Sequence, residues 1–432
     1  MKTLVIGSGG REHAIIWKLS QSEHITQMWC APGNAGIATE RLAKNSSPVQ
    51  CIKIGAEALP NLLKFALENK PDLTVVGPDN PLAMGIVDLF EQNGLKIWGP
   101  NKKAAQFEAS KAFSQQFMEK YGIPTAKGQT FTDFTSASRY AASLGGKCAI
   151  KADGLALGKG VVICKDMEMA DKTIEEMLVK RAFGESSSKI VIQELLEGVE
   201  VSLHAMCDGK TALLFPTSQD HKRAYDDDKG PNTGGMGTYC PTPFLDNSGM
   251  DLAKKLIIDR WLHGCQQESI NYRGILYPGI MLTKSGPKVL EFNSRFGDPE
   301  TQVYLTLLEN DLFELMLACA DGTLNKHNLK WKNGASVCII MASAGYPGKY
   351  EKGKQITGIE HAEKHPSVKV FHAGTTSNNN AFFTNGGRVL GVTATGKDLN
   401  DARNIAYSAV EKIHFEGAFY RRDIGAKALQ KF

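Results

Sequence analysis

The sequence predicts a soluble protein of mixed α/β and α+β class, built from several domains. Its 432 residues allow two to four domains of roughly 100–200 residues each. Over the first part of the chain, short apolar runs that stop at glycine or proline alternate with helical patterns, which indicates a parallel sheet covered by helices. Beyond that part, predicted strands follow one another with fewer helices between them, as in α+β domains.

The first domain is predicted over residues 1–102. An apolar run at residues 3–6 stops at Gly7, and a helical pattern follows from Ala14 to Leu19. Further strands of the same sheet are predicted at residues 27–30, 73–76 and 95–98.

Two more domains are predicted, over residues 103–326 and 327–432. Their helices are expected at residues 104–121, 168–180, 252–268, 302–321 and 399–413. Their strands are expected at residues 148–151, 160–163, 190–193, 200–204, 288–293, 335–341, 368–372 and 388–394.

Composition excludes several classes of protein. The 50 basic and 46 acidic residues leave a net charge of +4, too balanced for a dedicated nucleic-acid or membrane-surface binder. The nine cysteines are scattered without a CxxC pair, which disfavours zinc ribbons and indicates reduced thiols. No apolar run approaches the roughly 20 residues of a membrane span, and the first is too short for a signal peptide. We expect a cytoplasmic protein that binds neither nucleic acid nor membrane.

The first glycine-rich loop differs from a dinucleotide-binding fingerprint. Gly7 and Gly9 fit the first two positions of G-x-G-x-x-G, but Glu12 stands at the third, where close packing needs glycine. No acidic residue follows the second strand to hold a ribose, so NAD binding is disfavoured. Backbone amides at a helix start, beside Arg11, could hold a phosphate. A tight turn without a ligand is the alternative.

A second glycine-rich loop lies between two predicted strands at residues 150–161. It holds three glycines and two lysines, and such a loop can close its amides over a polyphosphate while Lys151 supplies a fixed charge. It is not a Walker A loop, because Gly160 stands where that motif needs Ser or Thr. An ordinary hairpin with solvated lysines is the alternative.

The strand that ends near residue 293 carries a candidate metal site. Because side chains alternate in a strand, Glu291, Asn293 and Arg295 share one face while Phe292 packs inward. A carboxylate and an amide oxygen two residues apart suit Mg²⁺ shared with nucleotide phosphates, and Arg295 could position an anion. A polar outer face without a metal is the alternative.

Taken in order along the chain, these and other segments resemble the phosphoribosylamine–glycine ligase family of the ATP-grasp superfamily. The matching segments are VIGSGGREHA, APGNAG, VVGPDNPL, GLKIWGP, SKAF, IKADGLALGKGV, TSQDHKR, GPNTGGMG, EFNSRFGDPETQ, VFHAGT and TNGGRVLGVTA. The resemblance implies an N-terminal parallel-sheet (pre-ATP-grasp) domain, an ATP-grasp core with a small lid subdomain at about residues 123–191, and a C-terminal α+β domain. It implies ligation of glycine to 5-phosphoribosylamine with ATP and Mg²⁺ or Mn²⁺, through glycyl phosphate, by a monomer.

The resemblance also implies roles for individual residues. The residues expected to contact ATP are Lys111, Lys151, Gly158, Lys159, Gly160, Glu194, Leu196 and Glu200. The expected metal ligands are Glu291 and Asn293, and the expected catalytic residues are Lys151, Arg295 and Asp298. The expected substrate contacts are Gly9, Gly10, Arg11, Asp220, His221, Lys222, Arg223 and Asp298.

Three positions depart from the family pattern, and three other functions compete. Asp79 stands where the family more often has Glu, Gln193 replaces a frequent acidic residue, and Ser294 often appears as Cys or Ala. The competing functions are an ATP-grasp enzyme with another acceptor, an NAD-linked oxidoreductase and a non-catalytic nucleotide-binding module. Glu12 argues against the second and the intact Glu291–Asn293 pair against the third.

Overall fold

The computed structural model describes residues 1–155 and 160–430. Its N-terminal part is a five-stranded, fully parallel sheet in the order β3-β2-β1-β4-β5, with a 3₁₀ turn at Ile37–Thr39. The strands are β1 Lys2–Gly7, β2 Gln27–Pro32, β3 Gln50–Cys51, β4 Leu73–Val76 and β5 Ile97–Trp98. The helices are α1 Gly10–Ser20, α2 Leu59–Asn69, α3 Asp79–Met84 and α4 Ile86–Gln92. The predicted parallel sheet is confirmed.

The middle of the chain forms two antiparallel sheets with helices around them. The helices are α5 Lys102–Ala109, α6 Lys111–Lys120, α7 Phe134–Ser143, α8 Met167–Ile174, α9 Asn247–Ala253, α10 Asp259–Gln267, α11 Glu300–Leu307 and α12 Leu312–Asp321. The strands are β6 Gly128–Phe131, β7 Cys148–Ala152, β8 Val161–Cys164, β9 Ile190–Glu194, β10 Val199–Ser202, β11 Ala205–Cys207, β12 Ala212–Leu214, β13 Gln219–Asp220, β14 Arg223–Tyr225, β15 Lys229–Asn232, β16 Gly237–Cys240, β17 Gly274–Thr283 and β18 Gly286–Asn293.

The first of these sheets, β6-β9-β7-β8, is the small subdomain that carries the second glycine loop between β7 and β8. The second has the order β10-β17-β11-β12, and β18 pairs with β17. Strands β14 and β15 form a separate two-stranded ribbon. One π-helical turn, Glu175–Val179, follows α8, and another, Lys254–Ile258, joins α9 to α10.

The C-terminal part is an α+β unit. Its strands are β19 Ala335–Ser343, β20 Gln355–Ile356, β21 Val368–His372, β22 Thr375–Asn378, β23 Ala381–Thr384, β24 Arg388–Gly396 and β25 Ala418–Phe419. Its helices are α13 Ile359–Ala362, α14 Leu399–Val410 and α15 Ala426–Leu429. The main sheet, β13-β16-β19-β24-β21, recruits two strands from before residue 326, so the boundary predicted at 326/327 does not separate two independent sheets.

Two of the predicted helices are broken. The helix predicted over 104–121 is interrupted at Ser110, which is extended (φ −137°, ψ 111°) and whose Oγ accepts from the amide of Phe113 at 3.0 Å. The helix predicted over 302–321 ends at Leu307 and restarts after Asp311, whose carboxylate caps the next helix. In both places a capping side chain offers the backbone an alternative to continuous helix.

One apolar core joins the parallel sheet, the larger middle sheet and the C-terminal sheet, while the small subdomain β6-β9-β7-β8 has a core of its own. The joining core contains Val5 of the parallel sheet, Phe296 after β18, Tyr304 of α11 and Ile340 of β19, all at most 2% exposed. Helix α1 packs on α11, which brings the first glycine loop against the segment that follows β18. Within the described ranges no helix has both the length and the apolarity that crossing a membrane requires.

Candidate active site

The candidate metal strand β18 contains a bulge at its centre. Val289 lies opposite Ile280 and Glu291 opposite Gly279, so Leu290 has no partner in the ladder. A bulge re-aims side chains and frees backbone groups. The carbonyl of Leu290 accepts a 2.7 Å hydrogen bond from Lys151 Nζ, which links the second glycine loop to the metal strand.

Lysines converge on the carboxylate of Glu291. Lys111 Nζ lies 3.5 Å from its Oε2. Burial would raise the pKa of Glu291, but Lys111, Lys222 and Lys151 outweigh burial and hold the pKa at about 2. Burial lowers the pKa of Lys151 to about 8, against the pull of Glu291. Glu291 is therefore ionised at neutral pH, as a metal ligand must be.

The donor set at the end of β18 fits a hard divalent cation. Asn293 Nδ2 donates to the carbonyl of Tyr277 at 3.3 Å, which leaves Asn293 Oδ1 facing Arg295 at 3.4 Å. Phe292 is fully buried, so the inward packing predicted for it is confirmed. One carboxylate and one amide oxygen on the same face suit Mg²⁺ that keeps water and phosphate as its other ligands.

The root of the second glycine loop is tied to the helix that carries Lys111. Asp153 Oδ1 accepts from Ser110 Oγ at 2.8 Å and from the amide of Ala112 at 2.7 Å. This carboxylate fixes the start of α6, so that Lys111 and Lys151 both face β18. At the other root, the carbonyl of Gly160 accepts from the amide of Ala152. Of the residues predicted to cover phosphates, Gly158 and Lys159 lie outside the described ranges.

The residues predicted to read the base and the ribose lie along the join between the two middle sheets. Glu194 ends β9, and its Oε1 accepts from the amide of Lys127 at 3.0 Å with Lys288 Nζ at 3.7 Å. Leu196 is half-buried in the connection to β10. Glu200 of β10 pairs with Lys222 Nζ at 2.5 Å.

The first glycine loop is filled by its own acidic residue. Glu12 is 2% exposed, and its Oε2 accepts from the amide of Gly9 at 2.6 Å while Arg11 Nε contacts Oε1 at 2.5 Å. A Cβ on Gly77 would lie 2.1 Å from Glu12 Oε1. The carboxylate occupies an amide that a dinucleotide pyrophosphate would need, which supports the prediction against NAD.

Asp298 lies where the three parts of the molecule meet. A Cβ on Gly9 would be 3.4 Å from its Oδ2, and Gln302 Nε2 donates to its Oδ1 at 2.9 Å. Arg388 of the C-terminal sheet lies 3.2 Å from Oδ2 and donates to the carbonyls of Asp298 and Gly234 at 2.7 and 2.6 Å. Burial would raise the pKa of Asp298, but Arg388 and Arg11 outweigh it and lower the pKa.

The predicted substrate residues at 220–223 point in alternate directions. Asp220 and Lys222 face the charged cluster formed by Glu291, Glu200, Glu300 and the lysines around them: burial and Glu300 raise the pKa of Asp220 well above its usual value. Burial would lower the pKa of Lys222, but Glu200 and Glu291 outweigh it and raise the pKa. Side chains one residue apart in extended backbone face opposite sides, so His221 and Arg223 point elsewhere.

Both nitrogens of the His221 ring have backbone partners: Nδ1 lies 3.0 Å from the carbonyl of Gly237 and Nε2 lies 3.4 Å from the amide of Gly425. Burial and Arg421 lower the pKa of His221 to about 4. Arg223 Nη1 donates to the carbonyl of Gly230 within the β14–β15 ribbon. The hydrogen bonds of these two side chains lead away from the charged cluster around Glu291, so a direct substrate contact by either stays a prediction without support from its hydrogen bonds.

Sequence reasoning missed two charged residues of the site. Arg388 lies in the quoted segment TNGGRVLGVTA but received no role. Glu108, at the end of α5, is 4% exposed and pairs with Arg295 Nη2 at 2.8 Å. The sequence did hold a signal for Glu108: it lies four residues after Ala104, on the apolar face of the predicted helix, where a charged side chain needs a buried partner.

Comparison with known proteins finds relatives over nearly the whole chain. Three family models match in succession: "Phosphoribosylglycinamide synthetase, N domain" at residues 1–108, the "ATP-grasp (A) domain" at 109–301 and the "C domain" at 336–427. The chain is 47% identical to phosphoribosylamine–glycine ligase of Caldanaerobacter subterraneus over 426 residues, 99% of this chain and 100% of that protein.

Solved structures show the same architecture. A crystal structure of phosphoribosylamine–glycine ligase from Thermotoga maritima superposes with a TM-score of 0.83 at 33% identity, covering 98% of this chain and 100% of that one. The biotin carboxylase domain of 2-oxoglutarate carboxylase from Hydrogenobacter thermophilus, solved with magnesium ADP, superposes with a TM-score of 0.73 at 17% identity, covering 97% and 91%. The second likeness shows the fold alone.

Proposed function

We propose, because the chain belongs to the phosphoribosylglycinamide synthetase family, that it joins glycine to 5-phosphoribosylamine in de novo purine biosynthesis. The reaction converts ATP, glycine and the amine into ADP, phosphate and glycinamide ribonucleotide. The observation that carries the proposal is the placement of Glu291 and Asn293 beside Lys111 and Lys151, with Asp298 beside the first glycine loop.

We propose two chemical steps. A carboxylate oxygen of glycine attacks the γ-phosphorus of ATP, the bond to ADP breaks, and glycyl phosphate forms. The nitrogen of phosphoribosylamine then attacks the glycyl carbonyl carbon, phosphate leaves, and the nitrogen loses one proton. Neither step needs a covalent nucleophile on the protein, so positioning and charge neutralisation carry the catalysis.

The lysines supply the charge that the first step needs. Lys111 and Lys151 would contact the phosphates, and a divalent cation held by Glu291 and Asn293 would neutralise the remaining phosphate charge. We propose Mg²⁺ as this cation and Mn²⁺ as a substitute. Arg295, fixed next to Asn293, would stabilise charge on the transferred phosphoryl group.

The second substrate would enter between the first glycine loop and Asp298. The amide of Gly9 already donates to Glu12, but that of Gly10 lies at the start of α1, and Arg11 lies beside Glu12 with its Nη1 on the carbonyl of Phe296. This position offers donors to a 5′-phosphate, and Asp298 offers an anion to an ammonium or amine group. Lys222 lies close enough to Glu291 to help lower the pKa of that carboxyl, and burial with Glu300 raises the pKa of Asp220.

Two further properties are proposed with the function. We propose that the chain acts in the cytoplasm, where purine precursors are made, and as a monomer. The monomer is tested by sedimentation velocity at micromolar concentration, where a species near the 47.0 kDa of one chain is expected and a species of twice that mass would contradict it.

The function is tested by measuring phosphate release while each component is left out. Glycine, Mg²⁺, ATP and phosphoribosylamine generated in place should all be required for sustained turnover. Phosphate release that proceeds at the full rate without glycine would refute the assignment. If the carboxylate is phosphorylated, oxygen-18 in the glycine carboxylate will appear in the released phosphate, and its absence there would refute the glycyl phosphate step.

A further inference from the structure

We infer that Glu108 is a positioning residue for the cation site, drawing the guanidinium of Arg295 onto its own carboxylate so that a cation can compete for the oxygens of Asn293 and Glu291. The inference rests on the proposed function for the identity of the site. It assigns a role to a side chain on a different element, α5, whose carboxylate bonds to Arg295 and to the amide of Ser294.

Glu108 divides its carboxylate between two groups just beyond β18. Its Oε1 lies 2.8 Å from Arg295 Nη2, and its Oε2 accepts from the amide of Ser294 at 2.8 Å. The side chain is 6% exposed and that of Arg295 is 18% exposed, so water competes little for either bond. The carboxylate therefore fixes both the backbone after Asn293 and the direction of the guanidinium.

The same arginine nitrogen also faces a proposed ligand. Arg295 Nη2 lies 3.4 Å from Asn293 Oδ1, longer than its distance to Glu108. Without the Glu108 carboxylate, the guanidinium would turn toward Asn293 Oδ1 and the carboxylate of Glu291. It would then compete with a cation for both oxygens.

The local balance of charge points the same way. Four cationic side chains surround Glu291: Lys111, Lys151, Lys222 and Arg295. The carboxylates of Glu291, Glu200 and Glu108 pair with them directly, and Asp79, Asp220 and Glu300 act electrostatically on Arg295 or Lys222. Neutralising Glu108 removes the carboxylate paired with Arg295 and makes the surroundings of Glu291 more positive by one charge, which disfavours an added cation. Partners outside the ligand set commonly change metal affinity by roughly 10–100-fold.

A structural role alone predicts a different pattern. A buried ion pair that only stabilises the fold leaves an unpaired charge when one partner is removed, and removing both partners relieves that cost. Such a role would move the unfolding temperature without moving metal binding. The positioning role requires metal binding itself to change in a protein that is still folded.

The test uses the full-length protein and Mn²⁺ as the probe. Mn²⁺ is titrated in the presence of ADP and followed by electron paramagnetic resonance, and half-saturating Mg²⁺ is measured in the phosphate-release assay. For Glu108→Gln we expect both constants to rise about tenfold, with the KM for glycine changed by less than about threefold. The matched control is Asp321→Asn, which breaks an exposed ion pair with Lys96 of 2.7 Å, and it should change neither constant.

A double variant separates the two roles. In Glu108→Gln/Arg295→Gln the competing charge is absent, so Mn²⁺ affinity should return to within about threefold of the parent value while turnover stays low. Unchanged Mn²⁺ affinity in folded Glu108→Gln, or no recovery in the double variant, would overturn the inference. Should Glu108→Gln not fold, Glu108→Asp, one methylene shorter, should weaken Mn²⁺ binding by about threefold, and unchanged binding there would overturn it too.

The two proposals fail in different ways. Absence of glycine-dependent turnover in the parent protein would refute the proposed function, whereas the Mn²⁺ titration would still test the positioning role. Normal parent turnover with unchanged metal constants in the variants would refute the positioning role alone.

Discussion

His372 gives the protein a stability that depends on pH. It ends β21 at 3% exposure and lies against α1 of the N-terminal domain: its amide donates to Nδ1 of His13 at 2.7 Å, and its ring Nδ1 lies 3.0 Å from Thr375 Oγ1. Burial, together with His13 and Lys369, lowers the pKa of His372 to about 3, against a smaller opposing effect of Glu40. The perturbation is a drop from about pH 7.5 to about pH 5.

The sign and the magnitude follow from the two pKa values. A folded-state pKa of about 3 lies below the ordinary 6.5, so between these values the unfolded chain binds more protons than the folded one. Stability is present above about pH 6.5 and is lost as the pH falls toward 3. A pH of about 5 lies about 1.5 units below the pKa of the unfolded histidine. Protonation of that histidine therefore stabilises the unfolded state by about 2 kcal/mol.

The assay compares the pH dependence of unfolding in two proteins. Urea denaturation followed by circular dichroism at both pH values gives the loss of apparent unfolding free energy for the parent and for His372→Asn. We expect the variant to lose about 2 kcal/mol less than the parent. His361→Asn, at an exposed histidine, is the matched control and should behave as the parent. Equal losses in parent and His372→Asn would refute the reasoning.

Two further substitutions test the site and its scaffold. Glu291→Gln should reduce glycine-dependent phosphate release by about 100-fold or more, because the carboxylate is a proposed metal ligand. The unfolding temperature should stay within a few degrees, because the side chain is 25% exposed. Near-parent turnover would show that Glu291 is not a metal ligand. Ser110→Ala removes the cap of α6 and one hydrogen bond to Asp153. The free energy of unfolding measured in urea should therefore fall by about 1 kcal/mol, and the KM for ATP should rise. An unchanged free energy of unfolding would show that the cap does not stabilise the helix.

Local patterns were enough for the elements whose ends are set by their own residues. The runs at residues 3–6 and 73–76 stop at glycine in both sequence and structure, and the parallel sheet follows from their alternation with helices. The inward packing of Phe292 follows from the period of a strand. The expected absence of a dinucleotide site rested on Glu12, which the structure places inside the loop.

Features set by distant partners could not be predicted this way. Ser110 at the helix break also donates to Asp153, 43 residues away, and the carbonyl of Leu290 at the bulge accepts from Lys151, 139 residues away. Arg388 contacts Asp298, 90 positions earlier in the chain, and Glu108 contacts Arg295, 187 positions later. Local spacing carries no information on such pairs, and only the ordered resemblance pointed to the region of Arg388.

The most direct test is product identification across a panel of amino acids with phosphoribosylamine generated in place. Glycine, alanine, serine and β-alanine are each supplied with ATP and Mg²⁺, and the products are resolved by mass spectrometry beside the ADP formed. We predict that glycine is converted to glycinamide ribonucleotide with one ADP per product, and that the larger amino acids react far more slowly. Efficient ligation of another amino acid with no product from glycine would contradict the assignment.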